Sequence, residues 1–390
     1  MTNHNIPPLD LSRQYQQIGT DINQVVLDVL ASGRYINGPI VEEFENQFAN
    51  YIGTTESVVC NSGTDALYLA LRAFNIGPGD EVITTPFTFI ATAEVISLAG
   101  AKPIFVDIDP DTFNIDPQKI KDVITNKTKA IIPVHLFGMP ANMTEIMAIA
   151  SAHNLIVIED CAQATGAIWQ NQKVGNIGHI GCFSFFPTKN LGACGDGGAI
   201  TTNNPEIAKK IRILREHGSP VRYYHEVVGV NSRLDAIQAA ILQVKLRYLD
   251  AWNAQREKVA KIYQDLLSPL EGKIKLPQMI SEGMSVWNQY TIRVIDHSNS
   301  AGKTIQSNGL PYTYRDVVRE KLQQMGISSM VYYPLALHLQ PVYKFLGYKL
   351  GDLPITEQVS DEVLSLPMFP ELLPEEQERI VYSLKEIINN

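Results

Sequence analysis

The chain reads as an α/β protein: a mostly parallel central sheet flanked by helices, followed by a smaller C-terminal α+β unit. Three observations lead there. Between residues 57 and 202, short apolar runs alternate with helix-like windows. Several of those runs are nearly continuous rather than alternating, as in strands covered on both faces. After Asn231 the texture changes to a long helical stretch, then to scattered strands and helices.

In chain order, SVVCNS, DEVITT, PIFVDI, KAIIPV, LIVIED, CFSFF and GGAITT are the strand candidates. Pro78-Gly79-Asp80 and Asp109-Pro110-Asp111 punctuate the series as turns. Thr64 to Phe74, Thr88 to Leu98 and Asn142 to His153 supply the intervening helical windows. Strands and helices alternating at this spacing favour parallel pairing. Ser232 to Leu267 is expected to form one long helix, since it opens on a Ser, lacks Pro and is rich in Ala, Gln, Leu, Lys and Arg. A boundary inside that helix divides residues 1–250, an N-terminal arm and large domain, from a small domain at 251–390. Within the latter, NQYTIRVID and SSMVYYP read as strands. Arg315 to Met325, Glu357 to Leu364 and Pro374 to Ile388 read as helices.

Composition narrows the function classes. At ~150 residues per domain, 390 residues suit two or three domains or one large domain with an appendage. A hydrophobic share of 45% against 19% charged describes a globular chain with a sizeable core. With 32 Lys+Arg and 41 Asp+Glu the net charge is −9, which argues against nucleic acid or an anionic membrane as a bulk partner. Cys60, Cys161, Cys182 and Cys194 form no Cys-x-x-Cys pair, so neither a disulfide framework nor a zinc knuckle is expected. The eight histidines show no His-Glu-x-x-His, and no metal site is expected. MTNHNIPPLDLSRQ lacks the pattern of a secretory signal. The stretch Phe89 to Val106 is broken by Glu94, Gly100, Lys102 and Pro103, short of the ~20 apolar residues of a membrane span. The expected location is the cytoplasm.

In a parallel sheet, ligands gather at the carboxyl ends of the strands. Those ends carry Asn61-Ser62-Gly63-Thr64, Pro86 to Phe89, Glu159 to Gln163 and Ser184 to Lys189. Ser62-Gly63-Thr64 leads from a strand into a helix, which suits either an ordinary N-cap or a phosphate site on free N–H groups. Glu159 and Asp160 are strand neighbours facing opposite ways, so they are no acid/base couple. Asp160, closing a buried strand, needs a cationic or N–H partner, whether as a cap, an ion pair or a functional carboxylate. Lys189 follows CFSFF in apolar, small surroundings; it is either a surface charge or an amine able to lose its proton and form a Schiff base. GACGDGG reads as a tight turn into AITT. His135 suits a satisfied buried histidine or a pocket wall, and Cys161 a small filler. Lys209, Lys210, Arg212 and Arg215 suit a solvated helix face. Taken together, a phosphate cradle, an aromatic platform, a carboxylate and a strand-end lysine are what pyridoxal phosphate (PLP) requires.

These segments also resemble a known family. NSGTDAL, GPGDEVI, TFIATAE, FVDIDP, IEDCAQATGA, SFFPTKNLG, GDGGAI and NSRLDAIQAA occur in order. With SGRYINGP at 32–39 and LSLPMFP at 364–370, they resemble the DegT/DnrJ/EryC1/StrS sugar aminotransferases, of fold-type-I PLP architecture. The resemblance implies that Lys189 holds the cofactor and shuttles a proton, that Asp160 pairs with the pyridine nitrogen and that Gln163 bonds the ring hydroxyl. It implies that Phe89 stacks on the ring and that Gly63, Thr64 and Ser184 hold the phosphate. Asn231 would reach the neighbouring subunit's phosphate, which implies a homodimer with shared active sites. The sub-pattern is similar to nucleotide-sugar 3-aminotransferases, with an amino acid such as glutamate as donor and a nucleotide-linked keto-sugar as acceptor. That group often has His-Tyr-Pro where this chain has Tyr332-Tyr333-Pro334. Tyr333 and Tyr35 are candidate substrate contacts, or else packing aromatics. Dehydratases of the family carry histidine in place of the lysine, so Lys189 favours transamination over a dehydratase or epimerase. A non-catalytic regulatory homologue is the remaining alternative.

Overall fold

The computed structural model describes residues 5–296, 304–305 and 311–389. Its main sheet has seven strands. They are β1 (Glu56–Cys60), β2 (Glu81–Thr84), β3 (Lys102–Phe105), β4 (Thr128–Ile132), β5 (Ile156–Asp160), β6 (Ile180–Ser184) and β7 (Gly198–Thr202). Their spatial order is β1-β7-β6-β5-β4-β2-β3. The pairs β3–β2, β2–β4, β4–β5 and β5–β6 are parallel, and β7 alone runs antiparallel to both neighbours. Each apolar run of the sequence became one of these strands.

Helices cover both faces, which is why the strands are apolar throughout. On one face α1 (Leu11–Ser32) and α2 (Pro39–Ile52) flank a core in which Phe48 meets Phe183 edge-on at 5.0 Å and Phe185 at 5.3 Å. On the other, α3 (Gly63–Ala73) and α4 (Ala91–Leu98) pack over Val58, Val82, Ile132 and Ile158. Next come α5 (Met143–His153) and α6 (Pro205–Arg215). Neither α1 nor α2 was anticipated. The window expected from Thr88 begins as a helix only at Ala91, because 88–90 turn into the strand-end cleft.

The single helix expected over 232–267 is two: α7 (Ala236–Leu246) and α8 (Leu249–Leu267). Ser232 does not start it; its hydroxyl donates to Asp65 and accepts from Asn61 N–H. The break at Arg247-Tyr248 has a packing cause. α7 lies against α1 and α2, whereas α8 turns Val259, Ala260, Tyr263 and Leu267 into a separate core. Around that core stand a three-stranded sheet, β8 (Ile274–Lys275), β9 (Tyr290–Val294) and β10 (Val363–Leu366), and the helices α9 (Tyr314–Gln324), α10 (Pro354–Glu362) and α11 (Pro374–Asn389). Ile6 is buried in the same core and bridges Ile327, so the segment before α1 is anchored on the smaller unit. SSMVYYP forms no strand; only Met330 bridges Ser365. The helix expected to Leu364 stops at Glu362, because Val363 joins β10 and its backbone pairs with Arg293. Arg215 is not solvated as expected: it is buried and donates to Glu45 at 2.6 Å and to Val59 O at 2.5 Å.

Candidate active site

The carboxyl ends of the strands line a cavity of about 350 Å³. Gly63, Thr64, Phe89, Asp160, Gln163, Ser184, Lys189 and Tyr333 all face it. Two expected residues do not. Tyr35 is 46% exposed, with its hydroxyl on Leu30 O, and Asn231 lies on the surface, bridging Glu216. Both sit on one outer surface: Ile36 bridges Asp235, and Asn37 and Arg233 donate to Glu216.

Asp160 ends β5 and is buried. Its carboxylate accepts from the Thr92 hydroxyl at 2.8 Å and from Ala162 N–H at 3.1 Å. Burial pushes its pKa up, while these two donors and the nearby Lys189 charge pull it down. Lys189 lies in the loop after β6, partly covered, and burial lowers its amine from 10.5 to about 8 despite the attraction of Asp160. An amine of that kind is free for a useful fraction of molecules near neutral pH, which a surface lysine is not.

Ser62 caps α3, accepting from Asp65 N–H through its hydroxyl and from Ala66 N–H through its carbonyl. The leading N–H groups of Gly63 and Thr64 have no partner within a helix. They open onto the cavity beside Ser184 at the positive end of the helix dipole. Gly63 is required there: an added Cβ would come within 2.7 Å of Ser184 Cβ. Gln163 accepts Phe137 N–H at 2.6 Å and donates to Tyr333 Oη at 3.2 Å. Phe89 is 58% exposed, with its ring 6.5 Å from that of Tyr333. Cradle, carboxylate, amine and aromatic face therefore share one cavity, and these residues fit PLP.

Sequence reasoning missed Thr92, the donor to Asp160, and Thr88, whose hydroxyl lies 3.1 Å from that of Thr92. Their i, i+4 spacing in TFIATAE was the available signal. His135 is a fully buried structural residue: Ala141 N–H donates to Nδ1, and Nε2 meets Glu159 at 3.0 Å. Cys161 is buried beside them, where burial raises its thiol well above the usual range.

A lysine with a lowered amine and a buried carboxylate thus share one cavity at the carboxyl ends of a mostly parallel sheet. The chain belongs to the DegT/DnrJ/EryC1/StrS aminotransferase family, whose model matches residues 16–385. That family is PLP-dependent. A "pleiotropic regulatory protein" of Geobacillus stearothermophilus is 50% identical, covering 98% of each chain. The UDP-N-acetyl-3-dehydro-alpha-D-glucosamine 3-aminotransferase of Acidithiobacillus ferrooxidans is 43% identical, again over 98% of each. The solved structure of S. venezuelae DesV in complex with a ketimine intermediate superposes with a TM-score of 0.92, at 39% identity and 99% coverage of both chains. Among the described residues no helix is long and apolar enough to cross a membrane.

Proposed function

We propose that this aminotransferase uses PLP to move an amino group from an amino acid, glutamate, onto the C-3 keto group of a nucleoside-diphosphate sugar. The observation that carries the reading is the pairing of Lys189 and Asp160 in a cavity headed by Gly63 and Thr64. The 3-aminotransferase relative supports the acceptor. When bound, PLP supplies a ring that draws electrons from the carbon bearing the amino group. Gly63 and Thr64 N–H and the Ser184 hydroxyl would hold its phosphate. Asp160 would keep a proton on the ring nitrogen, Gln163 would bond the ring hydroxyl and Phe89 would cover one face. Lys189 Nζ would hold the cofactor and would take the proton from the donor's Cα. Tyr333 stands by the acceptor sugar, and the chain works in the cytoplasm.

The reading includes a homodimer. Asn231 and Tyr35 lie outside this chain's cavity, on a surface with Leu30 and Ile36 exposed, suited to meeting a second copy. In this arrangement Asn231 serves the partner's phosphate site, and the cavity of each subunit is completed by the other.

Borohydride added with PLP should attach a reduced phosphopyridoxyl mass to the Lys189 peptide, and Lys189→Ala should show none. In PLP-loaded protein not treated with borohydride, glutamate should yield 2-oxoglutarate, and a nucleotide keto-sugar should reverse the cofactor's conversion. A wild type that binds no PLP overturns the reading. The regulatory relative motivates a second reading, a sensor that binds the cofactor without turnover. Labelling of Lys189 with no 2-oxoglutarate formed would select it.

A further inference from the structure

Lys189 is held from both sides by residues far away in sequence. Asn288, just before β9, donates through Nδ2 to Asn190 Oδ1 at 2.8 Å and to Thr188 O at 3.4 Å. Asn190 in turn donates to Val286 O and to Asn253 Oδ1, each at 2.8 Å. Asn253, on α8, donates to Thr165 O at 3.1 Å. The three amides are 5%, 6% and 5% exposed for Asn190, Asn253 and Asn288. Thr165 belongs to the loop that follows Asp160 and contains Gln163, so the ladder runs from the carboxylate's loop to the lysine's loop.

One detail separates this ladder from ordinary packing. Asn288 Oδ1 is sealed from water and has no hydrogen-bond partner among the described residues. A buried acceptor without a donor destabilises a fold. What Asn288 adds instead is the pair of N–H bonds that grip positions 188 and 190.

We propose that Asn190, Asn253 and Asn288 are positioning residues for the Lys189 amine, a buried amide ladder that fixes the lysine loop against the loop of Asp160. The ladder also joins α8 and the approach to β9 to the end of β6, so displacement of the smaller core shifts the amine in the cavity. The inference rests on Lys189 being the cofactor-holding residue proposed above.

The test uses full-length protein freed of cofactor, with wild type, Asn288→Leu and Asn253→Leu compared. Two quantities are read: the unfolding temperature, and the pH midpoint for borohydride-fixed capture of PLP on Lys189. Wild type should capture with a midpoint of about 8, where burial has lowered the amine against the pull of Asp160. In Asn288→Leu the loop is released and the amine reaches water. The midpoint should move up by about one pH unit, with capture near neutrality about tenfold slower. The unfolding temperature should fall as well, because buried Asn190 Oδ1 loses the donor that Asn288 supplies. A purely structural strut would lower the unfolding temperature and leave the midpoint in place; that result overturns the proposal. If Asn288→Leu does not fold, Asn253→Leu decides at the far end of the ladder, where a smaller upward shift supports and an unchanged midpoint overturns. Wild type that captures no PLP at Lys189 removes the site reading itself, and the ladder's role with it.

Discussion

Glu159 and Asp160 are consecutive carboxylates at the end of β5, and the pleat sends them to opposite faces of the sheet. Glu159 is fully buried and saturated: it accepts from Gly175, Ile177 and Gly178 N–H at 2.9, 2.9 and 2.7 Å and faces His135 Nε2 at 3.0 Å. Every one of those partners belongs to the scaffold. Among the described residues the Asp160 carboxylate accepts from Thr92 and Ala162 only, and it faces a cavity that holds Lys189. One carboxylate is spent on pinning the 175–178 turn beneath the sheet, whereas the other keeps capacity for a ligand. The same chemistry, one residue apart, is structural or functional according to the face it is on.

That contrast can be broken by experiment. The largest effect is expected from Asp160→Asn, which keeps size and shape but removes the charge. Turnover should fall by about 10²–10³-fold with the unfolding transition little changed. Glu159→Gln should do the reverse, lowering unfolding free energy by about 3 kcal/mol in denaturant titrations while Lys189 still captures PLP. Loss of turnover without loss of stability in that variant would falsify the division. His135→Leu is a milder probe of the same buried face. It leaves Glu159 short of one partner and Ala141 N–H without an acceptor, for about 1–3 kcal/mol of destabilisation and unaltered PLP capture. Thr92→Val is the smallest. Removing the hydroxyl leaves burial less opposed, so the Asp160 carboxyl, already pushed up, rises further. Activity should then disappear on acidification at a higher pH than in wild type, by about half a unit to one unit. A shift of that acid limb to lower pH would show that Thr92 does not support the charged form.

Much of this was legible without coordinates. All seven central strands were visible as apolar runs, because a strand covered on both faces has no polar side to disguise it. The strand-end rule then brought Gly63, Thr64, Asp160, Ser184 and Lys189 to one edge. The N-terminal helices α1 and α2 went unread. The break at Arg247-Tyr248 carries no Gly or Pro, since two cores pulling adjacent helices different ways cause it, not a local residue preference. Arg215 looked like a surface charge because its partner, Glu45, is 170 residues away in the chain.

The sequence by itself determined the sheet, its strand ends and the residue types waiting there, since periodicity and turn chemistry act over a few residues. Only the tertiary structure decided which of those residues share a cavity and what state they are in. Lys189 has an amine lowered to about 8 because the fold buries it. Burial pushes the Asp160 carboxyl up, and a threonine 68 residues earlier opposes that shift by donating to it. The loop of Lys189 is gripped by amides 63 and 98 residues from Asn190. Desolvation and hydrogen-bond partnership depend on what folding brings near, and no local pattern encodes that.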